Sequence, residues 1–170
     1  FLAHCLLSGD WEAVCADMNL RPVEGVDGSA SRERVAGVLA KYGITAEAVT
    51  LWGTGKPLRE FLWSEEMADA SVHVMERVDF ADLRGTGPQV RNCHINIGTG
   101  EEISIGNLAR LIVATVGYLG ELRFDASKPD GTPRKLCDVT RLHNLGWHHR
   151  IGIEEGVGKL YDWYRTSIGR

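Results

Sequence analysis

The stretch Val49–Trp63 (Val-Thr-Leu-Trp-Gly-Thr-Gly-Lys-Pro-Leu-Arg-Glu-Phe-Leu-Trp) constrains this chain more than any other. Two apolar runs, Val49–Trp52 and Phe61–Trp63, flank a Gly-Thr-Gly-Lys-Pro turn. Gly53, Gly55 and Pro57 predict a tight reversal, hence a hairpin. Trp52 stands at its mouth, and Arg59 opens the second strand. An indole face and a guanidinium fork delivered by one rigid loop suit a nucleotide diphosphate: ring on ring, fork on phosphate. The same residues also describe an ordinary hairpin with a core tryptophan and a surface arginine. At this level both readings stand.

The 170 residues are enough for a domain with its own core. A formal net charge of −4 argues against nucleic acid as a partner, whose binding footprint is basic. No apolar run reaches the ~18 residues of a membrane-spanning helix. Cys5, Cys15, Cys93 and Cys137 are scattered, with no Cys-x-x-Cys pair, and read as free thiols in a reducing cytoplasm. The chain opens on the apolar run Phe1–Leu7 without a helix start signal, which reads as the tail of a helix and the chain as a fragment.

Local signals then lay out the elements. Asp10 caps a helix over Trp11–Met18, and Ser29 or Ser31 caps another ending at Tyr42 and Gly43, with Val35, Val38 and Leu39 as its stripe. Residues 19–48 read as a self-contained insertion. Ser64 caps a helix with Met67, Ser71, Val74, Met75 and Val78 at helical spacing, whose methionines read as core filler. Cys93–Ile97 and Glu121–Phe124 read as strands. Ser104 caps a helix over Ile105–Val116 with Ile105, Leu108, Leu111, Ile112 and Thr115 inward. Asp138 caps a short helix to Leu145, and a last helix covers about Ile153–Tyr164 with Leu160 on its inner face. Strands alternating with helices indicate an α/β layered unit.

Three glycine turns invite a nucleotide-loop reading, and none completes one. Gly53-Thr-Gly-Lys56 lacks the upstream glycine and the Ser/Thr after the lysine. Gly98-Thr-Gly100 has Ile103 where the third glycine belongs. Gly85-Thr-Gly87 has no strand before it. His143, His148 and His149 cluster without metal-ligand spacing, so no metal is expected. No Tyr-x-x-x-Lys pair occurs, and no nucleophile with a base is evident. The basic pair Arg134-Lys135 follows a rigid loop, and with Arg59 it reads either as a divided clamp for two phosphates or as a solvated surface pair.

Residues 51–63, His-Ile-Asn-Ile-Gly-Thr-Gly (94–100) and Phe-Asp-Ala-Ser-Lys-Pro-Asp-Gly-Thr-Pro-Arg-Lys-Leu-Cys-Asp-Val-Thr-Arg-Leu (124–142) together resemble the carboxy-terminal half of the GDP-L-fucose synthase family. These are extended short-chain dehydrogenases. The resemblance is strong over 49–164 and weaker over 1–48. It implies an α/β fragment of a Rossmann-like enzyme, with a helical segment at 1–48 and a GDP-sugar-binding domain of helices and short strands at 49–170. It implies that Leu51 and Trp52 line the nucleotide pocket, that Arg59 pairs with the diphosphate, and that Lys135 contacts the substrate from the opposite wall. It implies a parent enzyme that epimerises GDP-4-keto-6-deoxy-D-mannose at C3 and C5 and reduces C4 with NADPH. That parent is expected to be a cytoplasmic homodimer. Its NADP-binding domain and catalytic residues are expected in an amino-terminal half, leaving no catalytic or cofactor residue in this chain and the fragment inactive. The alternatives are a non-catalytic GDP-sugar-binding module, or the equivalent part of another nucleotide-sugar epimerase or dehydratase.

Overall fold

The computed structural model describes residues 1–167. The helices are α1 (Leu2–Ser8), α2 (Trp11–Leu20), α3 (Arg32–Lys41), α4 (Ser64–Arg77), α5 (Phe80–Leu83), α6 (Ile105–Val116), α7 (Thr140–Asn144) and α8 (Ile153–Ser167). The strands are β1 (Ala48–Trp52), β2 (Leu58–Arg59), β3 (Ile103–Ser104), β4 (Glu121–Asp125) and β5 (Arg134–Lys135). Two compact units form. One comprises Phe1–Pro57, Ser104–Pro133 and the chain from Val157 onward; the other comprises Leu58–Ile103 and Arg134–Gly156.

In the first unit β1 and β4 pair in parallel, with Leu51 beside Phe124 and Trp52 beside Asp125. Parallel neighbours need a crossover, and α6 supplies its last leg. The expected hairpin is therefore corrected: β1 and β2 belong to different sheets, and Phe61–Trp63 is not a strand. The glycine turn ends β1 and leaves it in a new direction instead of folding it back.

The helical core of this unit joins Cys5 of α1, Ala13, Val14 and Met18 of α2, and Val35, Val38 and Leu39 of α3. Residues 19–48 are thus not self-contained, because their apolar stripe is buried against the preceding helices. The caps follow the sequence. The carboxylate of Asp10 accepts from Ala13 N at 2.9 Å, and the hydroxyls of Ser31 and Ser104 accept from Arg34 N and Asn107 N. On α6 the buried positions are Gly106 and Ala109, whereas Ile112 is exposed, contrary to the expected face. Leu160 on α8 is likewise exposed.

Asp17 is the one buried carboxylate of α2. It accepts from the Tyr164 hydroxyl at 2.5 Å and pairs with Arg21, whose guanidinium lies 4.6 Å from the Tyr164 ring centroid. Burial, then the hydrogen bond to Asp17, pushes the Tyr164 phenol well above its ordinary range. Burial does the same more mildly to Tyr118. A phenol raised in the folded state stabilises the fold below the unfolded value of about 10 and loses that contribution as pH rises past it. Urea midpoints should hold steady to about pH 10 and then fall, and Tyr164→Phe should flatten the fall; an unchanged slope in that variant would refute the assignment.

In the second unit a small cluster forms from Ala70 of α4, Leu142 of α7 and Trp147, with Leu62, Val74, Ile95 and Ile97 packed on it. Cys93–Ile97 is not a strand. The segment runs extended, and side chains rather than a ladder tie it: Arg141 donates to the carbonyls of Asn92 and His94, and Asn96 donates to Asp138 O at 3.1 Å. Alternate residues Ile95 and Ile97 reach the core, which explains the strand-like pattern. Ser64 is the first residue of α4 and not its cap; Trp63 holds the cap position without a side-chain bond to the helix amides. Met67 and Met75 are exposed, so the methionines are not core filler. The carboxylate of Glu66 is buried and accepts from the amides of Arg150 and Ile151. Among the described residues no helix is long and apolar enough to cross a membrane.

Candidate functional site: a paired-cation strand edge

In the second unit β2 and β5 run parallel, with Leu58 beside Arg134 and Arg59 beside Lys135. Register partners on neighbouring parallel strands project to the same face, about 4.8 Å apart along the hydrogen-bonding direction. Arg59 and Lys135 are therefore register partners, two basic residues on one face of the sheet. Arg134 points its charge elsewhere, with Nε 2.7 Å from Glu102. Among the described residues neither Arg59 nor Lys135 forms an ion pair. The Arg59 guanidinium donates to the carbonyl of Leu58 at 2.6 Å. Like charges at directly opposed positions repel, so the arrangement suits an anion that bridges both. A cavity beside Arg59 is lined by Phe61, Thr99, Glu101 and His149. The nearest His149–Glu101 approach is 3.8 Å.

Glu60 builds this edge. Its Oε1 accepts from Thr99 N at 2.6 Å and Gly100 N at 2.7 Å, and its Oε2 accepts from Cys137 N at 2.8 Å. Burial pushes this carboxyl up, but the amides of Cys137, Gly100 and Thr99 outweigh it and hold the group below the usual carboxylate range. Burial and the neighbouring Glu60 push the Cys137 thiol up. A side chain at Gly98 would put its Cβ 2.3 Å from Glu60 Oε1, which is why that position takes glycine.

In the first unit Leu51 and Trp52 are successive residues of β1, so their side chains face opposite sides of the sheet. Leu51 lines an apolar cavity with Val49, Ile112, Val116 and Leu122. Trp52 is 74% exposed, and the Lys128 ammonium stands 5.7 Å from its ring centroid. Asp130 locks the turn beside it, accepting from Thr54 N at 2.7 Å and from the Thr54 hydroxyl at 2.6 Å. Gly53 has a φ of 82°, and a Cβ there would lie 2.3 Å from Asp130 Oδ1. Sequence reading missed the parts played by Glu60 and Asp130, because their partners lie 39–77 residues away.

The two turns that most resemble cofactor loops thus have their amides taken by carboxylates, the 98–100 turn by Glu60 and the 53–55 turn by Asp130. Neither fits the pyrophosphate of a dinucleotide, which needs free amides and no adjacent negative charge. His143 and His148 stack at 4.1 Å between centroids, and no group of three potential metal ligands occurs among the described residues.

Comparison with known proteins gives the class first. Residues 18–98 match the NAD dependent epimerase/dehydratase family. A solved Campylobacter jejuni protein described as a GDP-6-OMe-4-keto-L-xylo-heptose reductase superposes with a TM-score of 0.86 at 36% identity, over 98% of this chain and 45% of that one. A second from the same organism, described as a GDP-mannoheptose C4 reductase with NADP bound, gives 0.77 at 34% identity over 96% and 43%. The chain has the Rossmann-like α/β fold of epimerase/dehydratase enzymes. More particularly, it is a homologue of part of GDP-L-fucose synthase: it is 53% identical to the Escherichia coli protein of that name over 125 residues, 74% of this chain and 38% of that protein. The chain spans less than half the length of the relatives it matches.

Proposed function

We propose that this chain is the GDP-sugar-binding part of a GDP-L-fucose synthase-type enzyme. The observation that carries the reading is the register pairing of Arg59 and Lys135 on β2 and β5, neither of which forms an ion pair among the described residues. A diphosphate places two negative groups a few ångströms apart and satisfies both cations, the arginine by its fork and the lysine as a point charge. The whole enzyme would then convert GDP-4-keto-6-deoxy-D-mannose by 3,5-epimerisation and NADPH-dependent 4-reduction, in line with its similarity to proteins of that name. In this reading NADP(H) and the catalytic groups are held by a further part of the same protein. The free thiols suit a reducing compartment such as the cytoplasm.

The test is a calorimetric titration with GDP and UDP. GDP should bind in preference, and Arg59→Ala should weaken it by about 1–3 kcal/mol, the range for a lost charge-assisted hydrogen bond. Equal affinity of the variant would remove the clamp. The isolated chain should oxidise no NADPH. A second reading keeps the GDP and changes the sugar. The likeness to GDP-heptose reductases over 98% of the chain favours it. Turnover of the full-length protein with the two classes of 4-keto sugar separates them.

A further inference from the structure

We propose that Glu60 is the positioning residue of the Arg59–Lys135 pair, the group that holds two like charges in register and ready for an anion. This rests on the diphosphate reading of that pair. The strands concerned are two residues each, too short to fix their own pairing. Glu60 follows Arg59 directly, and its carboxylate joins three pieces of chain. Oε1 takes the amides of Thr99 and Gly100, and Oε2 takes the amide of Cys137, two residues after Lys135. The carboxylate thus clamps the end of β2 to the end of β5 where the cations stand. Amide donors to a charged acceptor make the strong class of hydrogen bond, so this one side chain supplies more constraint than the short ladder. Gly98 is cut to fit, since any Cβ there would collide with Oε1.

Glu60→Gln separates this role from bulk packing. The amide keeps an acceptor for Thr99 and Gly100, but its NH2 faces the Cys137 amide, donor against donor. The experiment titrates the chain and its variant with GDP and with guanosine, and records backbone amide spectra of both proteins. Glu60→Gln should lose tenfold or more in GDP affinity, with guanosine affinity unchanged and with amide shifts at Thr99, Gly100 and Cys137. A folded variant that binds GDP within twofold of the parent overturns the proposal and leaves the diphosphate reading intact. A parent chain that binds no GDP overturns both. If Glu60→Gln does not fold, Gly98→Ala, which pushes the turn off the carboxylate, must show the same GDP-selective loss; GDP binding like the parent's overturns the proposal.

Discussion

Replacing Arg21 with alanine should cost the chain about 3 kcal/mol of stability, one of the two largest single-site effects expected here. The reason lies in what is left behind. Asp17 is 3% exposed and receives the Arg21 guanidinium and the Tyr164 hydroxyl. Removing the guanidinium leaves the buried carboxylate at position 17 without its ion-pair partner. Breaking one side of a buried pair costs about 3–5 kcal/mol, and the low end applies because 45% of the Arg21 side chain already faces water. The arginine also stacks on the Tyr164 ring at 4.6 Å, a contact that lysine repeats poorly. Arg21→Lys should therefore recover only part of the loss. Urea unfolding followed by far-ultraviolet circular dichroism measures both variants. A loss for Arg21→Ala below about 1 kcal/mol would mean that Asp17 is solvated and that the α2–α8 contact is incidental.

What was legible in the sequence was local. Asp10, Ser31 and Ser104 cap their helices because a short side-chain oxygen within three residues is all that a cap requires. The α3 stripe was legible for the same reason. Partner choice was not. Gly53 and Gly55 announce a turn, but the carboxylate that closes it comes from Asp130, 76 residues on from Thr54, and β1 finds β4 at a similar separation. A hairpin is the default reading of two apolar runs around glycines, and a parallel crossover overrides it without leaving any mark in that window. Exposure failed similarly: periodicity shows that Met75 and Ile112 share a face with apolar neighbours, but not whether anything covers that face. At the site, Arg59 and Lys135 were visible as cations. That they are register partners, that Arg134 is spent on Glu102, and that Glu60 ties the edge together are facts of tertiary pairing.

The second large effect is expected in the other unit, at Leu142. Its side chain is fully buried against Ala70 and Trp147, and the partly buried hydrophobics Leu62, Val74, Ile95 and Ile97 pack around that trio. Leucine-to-alanine changes in cores cost about 2–5 kcal/mol, the spread reflecting how far the site collapses. The partly buried neighbours are free to move in, which argues against the top of the range; the full burial of Leu142 argues against the bottom. About 3 kcal/mol is expected. The loss should reach the cation pair, because α7 carries both Leu142 and Arg141, and Arg141 straps the segment 92–97 through the carbonyls of Asn92 and His94. GDP binding should therefore fall together with stability in Leu142→Ala and return in Leu142→Met, which conserves volume. Emission from Trp147, buried and donating to Asp69 at 2.8 Å, reports unfolding of this unit. If Leu142→Ala loses less than 1 kcal/mol by that signal, the cluster is not the anchor of the unit, and the cations must be held by the Glu60 network alone.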